Sequence, residues 1–258
     1  MLLLLSMIAC GDKTSDTSTT DPSVDTSVED TEDTNTDTDT DTTDTEDTQE
    51  ESSSAESLQV GDIVITEIMK NPCGVTGSEV AVNGQGEEYL SISCTEPQIA
   101  DEEGEWFEVY NASSGEINLN GLMVHELDDG NGDTEEQTFL VTEDVVVAAG
   151  DYVVFGVSSD TSLNGGVDVD VVYAHGSFSL KNGEDSIALS NSIELLDAVS
   201  FNDDDFPDYK GHSMSLHSDM LTASDNDNGG NWYSCTEGTQ ATLPSGDVAT
   251  PGAANDCP

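Results

Sequence analysis

Residues 105–111, Glu-Trp-Phe-Glu-Val-Tyr-Asn, decide the fold. Side chains alternate along a strand, so Phe107 and Val109 point one way and Trp106, Glu108 and Tyr110 the other. Aromatic and β-branched residues suit such a pleated surface, and Asn111 closes the run. Upstream, residues 62–70 (DIVITEIMK) carry β-branched side chains on both faces, as a central strand does, and Asn71-Pro72 ends them. Downstream, Ala149-Gly150-Asp151 turns into a strand over 152–157. Further short strands are predicted over 119–127 (entered through Asn120-Gly121), 139–141, 145–147 and 169–173. Residues 186–189 and 195–201 form a hairpin around Asn191-Ser192, and Asn182-Gly183 is a turn dipeptide. No apolar pattern repeats at helical spacing. Short strands with polar turns predict an all-β sandwich or barrel.

The 258-residue chain carries a formal net charge of −51, with Lys13, Lys70, Lys181 and Lys210 as its only basic residues besides histidine. Binding to phosphate backbones needs Lys and Arg to displace counterions, so nucleic acid is excluded as a partner. Divalent cations and basic partners are favoured instead.

Residues 1–10 read MLLLLSMIAC. The apolar run is far shorter than the roughly 20 residues that span a bilayer. It ends in Ala9-Cys10, and Met7-Ile8-Ala9-Cys10 resembles the lipobox of bacterial lipoproteins. That resemblance implies a signal peptide over 1–9, cut before Cys10, whose thiol carries the lipid anchor. Met7 replaces the usual leucine, and the basic n-region of a secretory signal is missing. The linker expected over 10–57 is built of Thr, Asp, Ser and Glu, with Val24, Val28 and Ala55 its only aliphatics. Such a stretch buries too little apolar surface to offset its ordering entropy and is predicted to be disordered. The expectation is an exported protein, lipid-anchored at Cys10 in a bacterial cell envelope, with a folded domain over 58–258.

The succession ITEIM, EWFEVYN, INLNGLMV, AAGDYVVFG, LKNGEDSIAL and LLDAVSF, in that order over residues 60–201, resembles the lamin-tail domain. Ser213-Met214-Ser215-Leu216 and the closing Thr250-Pro251-Gly252-Ala253-Ala254-Asn255 extend the likeness. Glu67, Trp106, Glu108, Asn111, Leu119, Gly121, Gly150, Asn182 and Gly183 stand where that family has its recurrent residues. The resemblance implies an immunoglobulin-like β-sandwich acting as a non-catalytic module for interaction or anchoring. One departure stands out. The link from Lys70 to Glu105 is longer than the family pattern and holds Cys73 and Cys94.

Setting Cys10 aside leaves Cys73, Cys94, Cys235 and Cys257. An even number in an exported protein favours disulfides, and three pairings are open. Neighbours in sequence, Cys73–Cys94 and Cys235–Cys257, are the expected pairs. A zinc site is the weaker alternative, because the spacings are wide and no C-x-x-C occurs.

Two acidic loops are candidate calcium sites: Asp129, Asn131 and Asp133 in DDGNGDTEE, and Asp225 and Asp227 in SDNDNGG. Alternating carboxylates can present several oxygens to calcium, but neither loop fits the EF-hand pattern. Glu67 and Glu108 sit on apolar strands. A carboxylate pair can act as acid and base in glycoside hydrolysis, so an accessory or cryptic secreted hydrolase is the alternative function. The simpler expectation is that they accept hydrogen bonds in the scaffold. No catalytic triad or phosphate loop is present in the sequence.

Overall fold

In the computed structural model, the described residues are 53–95, 98–127, 137–234 and 242–256. The signal peptide over 1–9, Cys10, Asp129, Asn131, Asp133, Cys235 and Cys257 lie outside them, as does the linker up to residue 52. Chain order gives β1 (Ser53–Ser54), β2 (Ile63–Met69), β3 (Val75–Val82), β4 (Glu88–Cys94), β5 (Trp106–Asn111), β6 (Ile117–Asn118), β7 (Met123–His125) and β8 (Thr138–Leu140). Then come β9 (Val146–Val147), β10 (Tyr152–Gly156), β11 (Val171–Val172), β12 (Asp185–Ser190), β13 (Leu195–Phe201), β14 (Met214–Leu216) and β15 (Trp232–Tyr233). The helical content described is a single turn, α1 (Asp101–Gly104), and two 3-10 turns.

The architecture is an all-β sandwich. One sheet has the order β11-β10-β5-β2-β14-β15 and the other β13-β12-β7-β8. Strand β5 pairs antiparallel with both β10 and β2, so the opening stretch lies inside the larger sheet. Ile63, Ile65, Phe107, Val109, Val153 and Phe155 face Val124, Ile187, Leu189, Leu196, Val199 and Phe201 in one buried core. Phe107 and Phe155 stack with ring centroids 4.8 Å apart. A small ribbon, β1-β6-β9, and the separate hairpin β3-β4 complete the sheets.

The folded unit begins earlier than residue 58. Ser53 and Ser54 pair with Ile117 and Asn118, and Ala55 is fully buried in the core. An isolated alanine in an acidic linker gives no periodic signal, which is why the sequence reading placed it outside. Four of the predicted strands are shorter than expected: 119–127 keeps only β7, 145–147 only β9, 152–157 only β10 and 169–173 only β11.

The larger difference concerns the outer face of the six-stranded sheet. Alternation in β5 turns Trp106 and Glu108 away from Phe107, and both are nonetheless buried. A second apolar cluster of Met69, Trp106, Val154, Val167 and Ala249 explains it. The closing segment folds back across this outer face and shields it.

Candidate functional site

The site with the densest chemistry is the pair Glu67 and Glu108, and a β-bulge creates it. The register between β2 and β5 runs Ile65 opposite Val109, then Glu67 opposite Glu108, so Thr66 is the extra residue. Strand side chains alternate, and a one-residue shift moves everything beyond it to the other face. The bulge therefore turns Ile68 into the core opposite Phe107 and turns Glu67 outward beside Glu108.

Neither carboxylate meets solvent; both are 0% exposed. Their donors come largely from the closing segment. The Ser213 and Ser215 hydroxyls donate to Glu67 Oε1 at 2.5 and 3.1 Å, and the Thr250 backbone N–H joins them at 2.9 Å. The Thr250 hydroxyl donates to Glu67 Oε2 at 3.1 Å. Glu108 accepts from the Thr66 hydroxyl at 2.7 Å and from the Gly252 N–H at 2.7 Å. Asn255 locks this strap, donating from Nδ2 to Thr66 O at 2.9 Å and Leu216 O at 2.8 Å. Burial pushes Glu67 up to about 6, against the pull of its serine and threonine donors. Burial and then the neighbouring Glu67 charge push Glu108 up to about 9. Two adjacent buried carboxylates cannot both ionise cheaply, so the pair retains a proton at neutral pH.

The pairing of β14 with β2 stops at Glu67, which leaves the backbone groups of Ile65 to be satisfied. Asp197 Oδ2 accepts the Ile65 N–H at 2.7 Å, and Asn226 Nδ2 donates to Ile65 O at 3.2 Å and to Asp197 Oδ2 at 2.8 Å. Two side chains thus stand in for a missing stretch of strand. Burial raises Asp197 to about 7. Its Oδ1 and the Asn226 Oδ1 are both buried without a hydrogen-bond partner.

This places the second acidic loop. Asn226 points into the protein between Asp225 and Asp227, Asp225 accepts from the Thr222 hydroxyl at 2.6 Å, and Asp227 is exposed. Among the described residues, no group of three His, Cys, Asp or Glu side chains is arranged to hold a metal ion. The residue that organises the loop is Asn226, which sequence reasoning passed over because it stands between two more conspicuous carboxylates.

Other conspicuous residues resolve into scaffold roles. Asn111 is buried, donates to Gly115 O at 2.9 Å and Val147 O at 3.0 Å, and accepts from Ser113, so the Asn111-Ala112-Ser113 sequon is a turn. Asp203, in an exposed turn, binds the buried Lys70 ammonium at 2.8 Å, with Asp208 at 3.2 Å. Glu105 accepts the Leu180 N–H at 2.9 Å and is raised to about 8 by burial.

Cys73 and Cys94 form a disulfide, as expected, with Cα atoms 5.4 Å apart. Within the long link from Lys70 to Glu105, residues 75–94 form the antiparallel hairpin β3-β4. The Asp247 carboxylate holds its base, accepting from the N–H groups of Cys73 at 3.3 Å, Gly74 at 2.7 Å and Val75 at 3.2 Å. Gly246 has φ of +95°, and a Cβ there would collide with the Val75 carbonyl. The closing segment thus reaches both the carboxylate pair and the hairpin.

The family model of the Lamin Tail Domain matches residues 56–203, more than half of the chain. The chain belongs to the lamin tail domain family. Comparison with curated proteins finds no match. In this lamin tail domain the matched region ends just after β13. The strands β14 and β15 and the strap that seals Glu67 and Glu108 lie beyond it.

Proposed function

We propose that this protein is a lipid-anchored lipoprotein of a bacterial cell envelope that displays its lamin tail domain as a non-catalytic binding module. The observation that carries the non-catalytic part is the closed Glu67–Glu108 pair. A hydrolase needs its acid and base within hydrogen-bond reach of a substrate in a cleft, and these two are covered by their own chain. The hydrolase alternative therefore loses the residues it rested on. Export is supported by the Cys73–Cys94 disulfide, which suits an oxidising compartment, and anchoring by the lipobox-like Met7-Ile8-Ala9-Cys10. The acidic Thr/Asp-rich segment serves as a tether between anchor and module. An unidentified envelope or extracellular partner is the ligand. Calcium is proposed only as an assisting ion on the loop with Asp129, Asn131 and Asp133; millimolar calcium then raises the melting temperature by mass action, and no shift removes it. Labelling with radioactive palmitate in a bacterial host tests the anchor. Incorporation that disappears in Cys10→Ala is expected, and an unlabelled wild-type protein would overturn it.

A further inference from the structure

The hairpin β3-β4 is held firmly and contributes nothing to either apolar cluster. A disulfide closes its base and Asp247 caps three of its backbone N–H groups. Yet none of its residues from 75 to 94 belongs to the buried clusters. A two-stranded ribbon is marginal in water by itself, so the anchoring maintains a shape that the core does not require.

Its surface is asymmetric. The register places Ser78, Val80 and Val82 on one face with Ile92, Leu90 and Glu88 across from them. Glu79 and Ala81 share the other face with Ser91 and Tyr89. Val80 is 67% exposed, Val82 61% and Tyr89 51%. Among the described residues, positions 76–82 make no backbone hydrogen bond outside the hairpin, so the far edge of β3 is open. Proteins usually blunt such an edge with Lys, Pro or a bulge. Here the single irregularity lies at the base, between Val75 and Gly77, and Glu79 is the one charged side chain along the strand.

Charge decides what fits. The hairpin carries Glu79, Glu87 and Glu88 and no basic residue. A second copy brings the same acids and has few cations to offer. Lys70 is paired with Asp203 and Asp208, Lys181 lies near Glu126 and Asp185, and Lys210 donates to Gln98. We propose that the free edge of β3 docks an extended strand from a basic partner, one alternating apolar and Lys or Arg residues. The partner's backbone would continue the ladder. Its apolar side chains would lie beside Val80 and Val82, and its cations would lie beside Glu79 on the opposite face. This rests on the reading of the domain as a binding module and names where it binds and what.

The test uses the full chain and three capped synthetic peptides: one alternating valine and lysine, one alternating valine and glutamate, and the valine–lysine peptide with alternate amides N-methylated to remove ladder donors. Calorimetry measures affinity and amide exchange locates the contact. The expected result is binding of the first peptide alone, with exchange protection over 75–82. Val80→Ser and Val82→Ser, which alter no core residue, should each weaken it roughly tenfold, the loss expected when a valine no longer buries its side chain. Equal binding of the methylated peptide, or affinity untouched by both variants, would mean diffuse attraction to an acidic chain and overturn the proposal. So would a dimer of the protein itself that the two variants dissolve. Failure of every peptide overturns the edge but leaves the palmitate result, and the module reading, standing on their own.

Discussion

The Glu67–Glu108 pair and the β3-β4 hairpin are opposites. At the first, two acids are buried where apolar residues are expected, sealed by hydrogen bonds from Ser213, Ser215, Thr250 and Gly252. At the second, valines stand in water on an element fixed by a disulfide. The residues that look catalytic in sequence hold the closing segment in place. The residues that look like ordinary strand filler are left with nothing to pack on. Burial, rather than residue type, separates the structural site from the candidate binding site.

Removing the lock should show the contrast most strongly. Asn255→Ala leaves Thr66 O and Leu216 O buried without their donor, each orphaned group costing about 1–3 kcal/mol. Urea unfolding should show a loss of roughly 2–5 kcal/mol on that basis, whereas Val80→Ser should leave the midpoint nearly unchanged. Equal effects would erase the distinction. Cys73→Ser comes next. The chain-entropy model assigns about 3 kcal/mol to a loop of this size, and amide exchange should accelerate in β3 and β4 while β2 and β5 keep their protection.

The acids make a sharper test through pH. Glu67, Glu105, Glu108 and Asp197 all have folded-state values raised by burial, so the folded protein holds more protons than the unfolded chain. Stability from these groups is present in full below the unfolded carboxylate range and declines as pH rises through the raised values. The urea midpoint should therefore fall from pH 5 towards pH 9, a window in which surface carboxylate salt bridges leave it unchanged. Glu108→Gln should cost little at pH 7, because the Thr66 hydroxyl can turn to accept from the new amide, and should flatten the fall above neutrality. A midpoint that rises over this range would break the account. The smallest effect is expected at Asp197→Asn. Its oxygen can still accept the Ile65 N–H and the Asn226 amide, so stability at pH 8 should change by no more than about 1 kcal/mol.

Much of this was legible in the sequence. Alternation in EWFEVYN gave the facing of Phe107 and Val109 into the core, and the order of strand motifs gave the sandwich. The Cys73–Cys94 pairing is the one expected between cysteines neighbouring in sequence. The bulge at Thr66 was hidden, because an inserted residue leaves no mark on composition and only the register against β5 exposes it. The covering of Glu108 was hidden too. Gly252 donates to it from 144 positions away, and nothing local in either segment announces the contact. The hairpin escaped notice because VTGSEVAV and EYLSISC carry Gly, Ser and Glu in a region that buries no core face, and hydrophobic periodicity reports burial.

The central claim is that Glu67 and Glu108 form a closed structural pair. Carboxyl-carbon NMR titration of selectively labelled glutamate tests it directly. Glu108 should keep its proton through neutral pH and lose it well above the ordinary carboxylate range. Ionisation of both glutamates near their ordinary values would mean that water reaches them, that the strap opens, and that the pair is free to meet a substrate.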